Sequence, residues 1–211
     1  MPTSLSELKV RDPWLFHREG RREGSPDLDH SNTPDWLCQV VFSVLGVVDF
    51  DVASNPYSAV RSRRAYFNPA CDPEKLQGES TAFGATAERA DGLFYSWGDT
   101  WFCNPPYSNP GPWVERCRRE YAQGSKGIAV LRHDHSTKAW KFVQGLFRCE
   151  LDRRVSFPWG GRDSDGAGKS ATTAVLFARD QPTLMRFTLA FEPYGEVLTS
   201  VRPPTVGEVS A

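Results

Sequence analysis

The chain has 211 residues, of which 39% are hydrophobic and 24% are charged. This length and composition predict a single well-packed globular domain and exclude two large ones. The formal net charge is −1, so overall charge indicates no nucleic-acid partner, and any basic surface must be local. No apolar run reaches the length of a membrane span, and the polar amino end does not resemble a signal peptide, which together predict a cytoplasmic protein with no membrane partner.

The cysteines and histidines do not form a metal-binding pattern. No C-x-x-C pair occurs, and the odd number of cysteines argues against a disulfide framework, so reduced thiols are expected. His133 and His135 alternate along an extended segment without a nearby cysteine pair. We therefore expect no metal site. The five cysteines are Cys38, Cys71, Cys103, Cys117 and Cys149.

The first predicted elements are a polar arm and a helix. Residues 1–30 are charged and rich in small residues and are predicted to form a loosely held arm. A helix is predicted to start at Thr33 and Pro34, with Thr33 as its cap and Pro34 in its first turn, and to end at Gly46. Its apolar face has helical spacing and consists of Trp36, Leu37, Val40, Val41, Val44 and Leu45.

A strand is predicted next, at 47–53, and its end is expected to carry the acidic side chains of Asp49 and Asp51. Residues 54–90 are rich in Pro, Gly, Ser, Asn and Arg and show little periodicity. They are predicted to form a long irregular loop of functional importance. Within that loop an arginine cluster, 61–64, is available for contacts with a phosphate backbone.

The remaining sequence alternates between strand and helix patterns before strands cluster. This order predicts an α/β fold of the Rossmann-like type, with a mostly parallel sheet and antiparallel strands at one edge. We expect one domain at 31–202 and a proline-rich tail at 203–211. The predicted elements are strand 100–103, helix 112–123, strand 127–131, helix 137–147, strands 149–157 and 171–178, and a strand or hairpin at 186–201.

The most informative motif is Asn104-Pro105-Pro106-Tyr107, directly after the apolar run 100–103. The prolines remove two backbone donors, so neither a strand nor a helix can continue there. Ligands of open α/β sheets bind at the carboxyl ends of strands. The Asn104 amide oxygen and the Pro105 carbonyl can accept both hydrogens of an exocyclic amine, and Tyr107 can stack on the ring that bears it.

This elbow resembles the signature of S-adenosylmethionine-dependent methyltransferases that modify N6 of adenine, N4 of cytosine or a glutamine amide. The order of the motifs is similar to that of the phage-type DNA N6-adenine methyltransferase family. These motifs are Thr33-Pro34, Asp91-Gly92-Leu93, the elbow and Pro112-Trp113. The resemblance covers the chain from about Thr33 to about Arg179. It implies a class I methyltransferase fold, S-adenosylmethionine as cofactor and DNA as partner, in the cytoplasm of a host cell if the protein is encoded by a phage.

The resemblance also assigns roles to individual residues. The catalytic elbow is Asn104, Pro105, Pro106 and Tyr107. The implied cofactor contacts are Thr33, Pro34, Asp49, Asp51, Ala53, Asp91 and Leu93. The implied substrate contacts are Trp113, Arg132, Ser136, Trp140 and Arg154.

The chain departs from the general methyltransferase pattern at one point. The glycine-rich motif that usually follows the first strand is replaced by Asp51-Val52-Ala53-Ser54-Asn55. A protein glutamine methyltransferase, an RNA amino-methyltransferase and a non-catalytic nucleic-acid-binding relative remain alternatives. The glutamine enzymes share the elbow, although they normally carry the glycine-rich motif that is missing here.

Overall fold

The fold was analysed in a computed structural model of the chain. The predicted arm at 1–30 and the predicted tail at 203–211 lie outside the described residues. The structure describes residues 32–67, 81, 83–89, 91–136, 138–157 and 169–198.

An eight-stranded sheet forms the centre of the molecule. Its strands are β1 Val48–Ser54, β2 Ser62–Phe67, β3 Thr86–Arg89, β4 Thr100–Cys103, β5 Lys126–Arg132, β6 Phe147–Leu151, β9 Thr172–Phe177 and β10 Gly195–Leu198, while β7 Val155–Ser156 and β8 Lys169–Ser170 form a separate two-stranded ribbon. The spatial order of the strands in the sheet is β10-β6-β9-β5-β4-β1-β2-β3. Strands β3, β2, β1, β4 and β5 pair in parallel, whereas β9, β6 and β10 continue the sheet through antiparallel pairs. This arrangement confirms the predicted α/β architecture with antiparallel strands at one edge and is consistent with a Rossmann-like fold.

Helices cover both faces of the sheet. On one face, called the α1 face, helices α1 and α4 pack over Phe102 and Ile128. On the other, called the α2 face, α2 and α3 pack over Trp101 and Ala129. The helices are α1 Asp35–Leu45, α2 Gly111–Ala122, α3 Lys138–Val143 and α4 Gln181–Phe191, followed by a short 3₁₀ helix, Glu192–Tyr194.

The order of the strands creates a switch point between β1 and β4. The chain builds β1, β2 and β3 toward one side and then returns to place β4 on the opposite side of β1. In open α/β sheets, ligands bind in the crevice outside the carboxyl ends of the strands at such a point. We call the side of the sheet where β1, β4 and β5 end the carboxyl edge, and the opposite side the amino edge.

Helix α1 begins one residue later than the sequence predicts. Pro34 is extended (φ −64°, ψ 147°) and occupies the cap position without a side-chain cap bond, so the prediction of Thr33 as the cap is wrong. The Pro34 carbonyl accepts hydrogen bonds from the backbone N–H groups of Leu37 (2.9 Å) and Cys38 (3.1 Å), closing the first turn. Gly46 ends the helix with a φ of 72°, as predicted.

The predicted irregular loop at 54–90 contains two strands, β2 and β3. The seven residues 55–61 return from the end of β1 to the start of β2 without a helix, and Val60 is buried in the core of the α1 face on the way. The two arginines at the start of β2 break the apolar pattern, while its second half, Ala65 to Phe67, is fully buried. That short apolar run was too weak to indicate a strand.

The predicted terminal strand at 186–201 is mostly helix. Asp180 caps α4 by accepting a hydrogen bond from the Thr183 N–H (3.0 Å), and a proline occupies the first turn. Thr183, Phe187 and Phe191 are buried at helical spacing. Strand β10 spans Gly195–Leu198.

The packing of β5 against β4 gives a stability test. A Cβ at Gly127 would lie 2.1 Å from Cδ2 of Trp101, whose ring is fully buried. We expect Gly127→Ala to lower the free energy of unfolding by about 1–3 kcal/mol, because the ring cannot move aside without disturbing the core. Gly111→Ala is the matched control, since its Cβ would meet nothing within 4 Å. Its change should stay within about 0.5 kcal/mol in urea unfolding; equal effects of the two variants would contradict the packing account.

Candidate functional site

Strand β4 ends at the switch point, and the elbow follows it directly. Phe102 pairs with Asp51 of β1, and Cys103 pairs with Ala129 of β5, so β4 lies between the two parallel neighbours. The next residue is Asn104, after which two prolines stop the ladder. The carbonyl of Pro106 accepts a hydrogen bond from the Asn109 N–H (3.3 Å), which closes the turn that leads toward α2. The elbow is therefore anchored at the crevice that the fold creates.

Asn104 carries a buried acceptor that the described protein does not use. Its Oδ1 atom is inaccessible to solvent and has no hydrogen-bond partner among the described residues. The Pro105 carbonyl likewise receives no hydrogen bond from any backbone N–H in the described ranges. Buried acceptors without partners are rare in native proteins because each costs about 1–3 kcal/mol. A buried amide oxygen, followed in the chain by a carbonyl that receives no backbone donor from the described residues, is suited to a ligand that brings its own donors.

Asn32 adds unpaired polar atoms near the amino end of α1. It is 5% exposed, and both its amide oxygen and its amide nitrogen lack partners within the described part of the chain. Because α1 runs back toward the start of β1, its amino end lies toward the carboxyl edge. Thr33 is also buried there, and its carbonyl accepts the Cys38 thiol (3.6 Å). The sequence analysis placed Thr33 and Pro34 in this region but missed Asn32, which carries no motif of its own.

Tyr107 and Arg132 are brought together at the same edge. The Tyr107 ring packs edge-to-face on Phe157, with centroids 5.4 Å apart and an interplanar angle of 85°. Its hydroxyl is buried, and although Thr172 lies nearby, no described residue reaches hydrogen-bond geometry with it. Burial raises the pKa of the Tyr107 phenol well above its usual range, and the charge of Arg132 opposes this rise in part. The phenol therefore stays neutral.

Asp51 lies in the middle of β1 rather than at its end. It is 2% exposed, and its carboxylate accepts a hydrogen bond from the Ser58 hydroxyl (2.6 Å). Burial raises the pKa of Asp51 from 3.8 to about 6, while hydrogen bonds from Ser58 and Ser54 oppose that rise. The carboxylate thus ties the returning segment 55–61 to β1 on the α1 face, beneath the switch point.

Asp49 lies at the wrong edge of the sheet for the predicted cofactor contact. It is the second residue of β1, and its Oδ2 accepts the backbone N–H groups of Asp99 and Thr100, both at 3.0 Å. Its other carboxylate oxygen is 3.4 Å from an Arg63 nitrogen. Asp49 caps the start of β4 at the amino edge, so we remove it from the candidate site. Ala53, the other predicted residue of this strand, does lie near the carboxyl end of β1.

Asp91 and Leu93 form a tight turn against β1 on the α2 face. The Asp91 carboxylate accepts the Leu93 N–H (3.0 Å), and the Asp91 carbonyl accepts the Phe94 N–H (2.9 Å). Between them, Gly92 lies so close to β1 that an added Cβ would be 2.1 Å from the Val52 carbonyl oxygen. The turn is therefore fixed beside the carboxyl half of β1, but across the sheet from Asp51.

Two of the predicted substrate contacts are core residues. Trp113 is 6% exposed and packs against Trp97, with centroids 6.3 Å apart. Trp140 is also buried, beneath the rings of His133 (4.6 Å) and His135 (4.9 Å). Their side chains are the apolar faces of α2 and α3, so neither tryptophan presents a surface to a substrate.

Ser136 and Arg154 remain at the surface. Ser136 donates its backbone N–H (3.0 Å) and its hydroxyl (2.6 Å) to the Asp134 carboxylate, so it stabilises the loop after β5. Arg154 is exposed in the segment between β6 and β7. Neither placement tests the predicted contact with a substrate.

The two histidines of the loop after β5 contact each other. Their Nε2 atoms are 2.6 Å apart, and the Nδ1 atom of His133 is 3.0 Å from the Thr173 hydroxyl. Within the described ranges, no group of three or more His, Cys, Asp or Glu side chains is arranged to hold a metal ion. None of the described helices has the length and apolar character needed to cross a bilayer.

Most arginines of the predicted cluster at 61–64 and of helix α2 form ion pairs with carboxylates. Arg61, Arg63 and Arg64 lie at or near the amino-edge start of β2, and the last two pair with carboxylates, Arg63 with Asp49 and Arg64 with Glu88. On α2, Arg116 pairs with the buried Glu120, while Arg118 and Arg119 share Glu115. Arg116 also donates hydrogen bonds to the carbonyls of Leu93 (3.1 Å) and Tyr95 (2.7 Å). These arginines stabilise the fold rather than surround the elbow.

Comparison with known proteins leaves the site to be interpreted from its own chemistry. The chain matches no protein-family model, and a search of curated proteins finds no match to its sequence.

The buried carboxyl group of Asp51 gives a prediction for the pH dependence of stability. Its folded-state pKa of about 6 exceeds the ordinary value of 3.8, so the folded protein binds this proton more tightly than the unfolded chain does. The stabilisation from this group is therefore fully present below pH 3.8 and is lost as the pH rises through about 6. The pKa difference corresponds to about 3 kcal/mol.

Asp51→Asn should remove this dependence while keeping an acceptor for Ser58. Urea unfolding between pH 4 and pH 7, a range set by the two pKa values, should show wild type losing about 2 kcal/mol relative to the variant, since part of the change has already occurred at pH 4. Asp152→Asn is the control, since Asp152 is largely exposed. Parallel stability curves for wild type and Asp51→Asn would contradict the assignment.

Proposed function

We propose that the protein is an S-adenosylmethionine-dependent methyltransferase that transfers a methyl group to N6 of adenine in DNA. The observation that carries the proposal is the buried Oδ1 of Asn104, which has no donor among the described residues. It lies at the switch point of a Rossmann-like sheet, next to the Pro105 carbonyl. An exocyclic amine has two N–H donors and satisfies both acceptors at once.

The elbow orients the substrate amine and stabilises the charge that develops on its nitrogen. The lone pair of an aromatic amine is delocalised into its ring, which makes the nitrogen a weak nucleophile. Asn104 Oδ1 and the Pro105 carbonyl draw on the two amine hydrogens and favour a pyramidal nitrogen with a directed lone pair. The prolines restrict the backbone that carries both acceptors, which limits the reorganisation that substrate binding requires. Positive charge that develops on the nitrogen is stabilised by the same two oxygens.

The residues at the carboxyl edge fit the cofactor in chemical terms. The amide of Asn32 is buried without partners among the described residues, and Thr33 and Pro34 lie beside it at the start of α1. Donors and acceptors of this kind suit the amino acid end of S-adenosylmethionine. When bound, the cofactor supplies an electrophilic methyl group on a sulfonium centre. Ser54 adds a hydroxyl group at the end of β1, where other methyltransferases have a glycine-rich turn.

A DNA substrate requires base flipping, because a paired and stacked adenine cannot reach the elbow. Tyr107 is partly exposed, and its contact with Phe157 fixes the orientation of the ring. A ring fixed in this way can stack on an extruded base with little loss of side-chain entropy. Adenine is favoured over cytosine because enzymes that act on cytosine more often have serine at the first position of the motif.

Asn104→Ala is expected to reduce methyl transfer on the order of a hundred-fold or more, because it removes one preorganised acceptor. The fold and cofactor affinity should remain, since no described protein donor loses a partner. Asn109→Ala is the matched control: Asn109 is exposed in the same turn, and its backbone bond to Pro106 is retained. Transfer of labelled methyl to DNA, RNA and protein fractions, followed by mass analysis of nucleosides, measures both rate and product.

N6-methyladenine in DNA supports the proposal. N4-methylcytosine, or label found in RNA or protein alone, contradicts the proposed substrate. Turnover of Asn104→Ala near that of wild type contradicts the role of the elbow.

The variant Tyr107→Phe tests the role of the ring separately from that of the hydroxyl, because it keeps the ring and removes the hydroxyl. The hydroxyl is buried without a hydrogen bond in the described protein, so its removal should leave stability unchanged or raise it by less than about 1 kcal/mol. Methyl transfer should stay within a few-fold of wild type, whereas Tyr107→Ala should weaken action on duplex DNA by the stacking energy of one base, about 1–3 kcal/mol. Thermal unfolding and steady-state kinetics measure these effects. A severe loss of turnover in Tyr107→Phe would assign a role to the hydroxyl and contradict pure stacking.

A further inference from the structure

The exposed arginines of the carboxyl edge differ from those of α2 and β2 in position, because they lie at the strand ends beside the elbow. Arginines on α2 and on β2 are engaged with carboxylates, as described above. At the carboxyl edge, Arg132 ends β5 and is exposed, and no carboxylate of the described residues lies within 4 Å of its guanidinium. Because β5 pairs in parallel with β4 and both strands end at the carboxyl edge, Arg132 lies beside the elbow, where its charge also acts on the Tyr107 phenol. Hydrogen bonds from Ser136 lower the pKa of the Asp134 carboxyl group, and the charge of Arg132 adds to this effect.

Arg153 is held at the same edge by aromatic rings. Its guanidinium lies 5.7 Å from the ring centroid of Trp36 and 5.6 Å from that of Tyr194. The two rings stack with centroids 5.1 Å apart and an interplanar angle of 22°. Such cation–π contacts fix the plane of a guanidinium while leaving its N–H groups able to bind an anion.

The charge of Arg153 is weakly compensated. Its partner is Asp152, at 3.4 Å, and the two side chains are 57% and 60% exposed. Ion pairs between such exposed groups are easily exchanged for another anion. Phosphodiester oxygens suit a preorganised guanidinium because they accept its parallel N–H groups.

The positions of these residues make one continuous surface. Strand β6 ends at Leu151 on the carboxyl edge, and the next segment carries Arg153 and Arg154 before it reaches Phe157. Phe157 contacts the Tyr107 ring, which joins this segment to the elbow. We call the surface formed by Arg132, Arg153, Arg154, Trp36 and Tyr194 the carboxyl-edge strip.

We propose that the carboxyl-edge strip binds the phosphate backbone of the DNA that flanks the target base. This inference rests on the proposed function for its choice of DNA, and it names the surface that the substrate contacts. A strip of exposed guanidinium groups, of which that of Arg153 is held by aromatic rings, is complementary to a phosphodiester chain that presents a base to the elbow. The arginines of β2 at the amino edge take no part in binding, in contrast to the expectation from sequence.

Two double variants with equal charge change test the strip. Arg132→Gln with Arg153→Gln removes two positive charges at the carboxyl edge, and Arg61→Gln with Arg63→Gln removes two at the amino edge. Binding of a fluorescent DNA duplex is measured by anisotropy from about 50 to 200 mM salt. The strip variant should weaken binding about ten-fold or more, and the slope of log affinity against log salt should become less steep by about two. The amino-edge variant should stay within about two-fold of wild type.

Steady-state kinetics distinguish this inference from the proposed function. We expect the strip variant to raise the KM for DNA with kcat and cofactor affinity unchanged, because the strip binds substrate away from the reacting atoms. An equal loss of DNA affinity in both double variants, or normal DNA binding by the strip variant, overturns the proposed role of the strip. DNA methylation by the wild type would still support the proposed function. Absence of DNA binding by wild type at 50 mM salt, a condition that favours phosphate contacts, overturns the strip and the choice of DNA together.

Discussion

The two prolines that end β4 are the constraint on which the candidate site depends. Neither Pro105 nor Pro106 can donate to a sheet ladder, so β4 must stop at Cys103 although parallel strands flank it on both sides. The same residues leave a carbonyl and the Asn104 amide at the strand end without donors from the described protein. A strand that ended in a flexible loop would let these acceptors bond to water or to the backbone. The elbow instead holds them in place inside the crevice.

Asp49 and Asp51 lie two positions apart in β1 but stabilise different parts of the sheet. Asp49 satisfies the backbone at the start of β4, where two N–H groups need an acceptor. Asp51 is buried beneath the switch point and bonds to Ser58, which ties the returning segment to the strand. One carboxylate therefore stabilises the amino edge, and the other shapes the wall of the site. The arginines divide in the same way, with those of β2 near the amino edge and Arg132 at the carboxyl edge.

The sequence predicted features that depend on strong local rules. Gly46 ends α1, the run 100–103 forms β4, and the alternation of elements gives the sheet its parallel part. Predictions failed where a side chain's environment depends on contacts distant in sequence. Trp113 was expected at the substrate, yet the apolar face of α2 buries it against Trp97.

The returning segment 55–61 and the strand β2 were missed for a related reason, since polar residues at the start of β2 hid its buried second half. Asn32 could not be found from the sequence, because its significance lies in being buried without partners among the described residues. Helix α4 was missed although its signals were present: an aspartate cap, a proline in the first turn and aromatic residues at helical spacing. The end of β4 before the elbow was predicted correctly, because consecutive prolines act on the backbone regardless of their surroundings.

The central claim is that Asn104 and Pro105 accept the hydrogens of the substrate amine. A crystal structure of the protein with demethylated cofactor and a short adenine-containing duplex would test it most directly. If both oxygens accept the amine hydrogens, the N6 atom of an extruded adenine will lie about 2.7–3.2 Å from Asn104 Oδ1 and from the Pro105 carbonyl oxygen. An adenine bound elsewhere, or an Asn104 Oδ1 bonded to a donor of the protein itself, would contradict it.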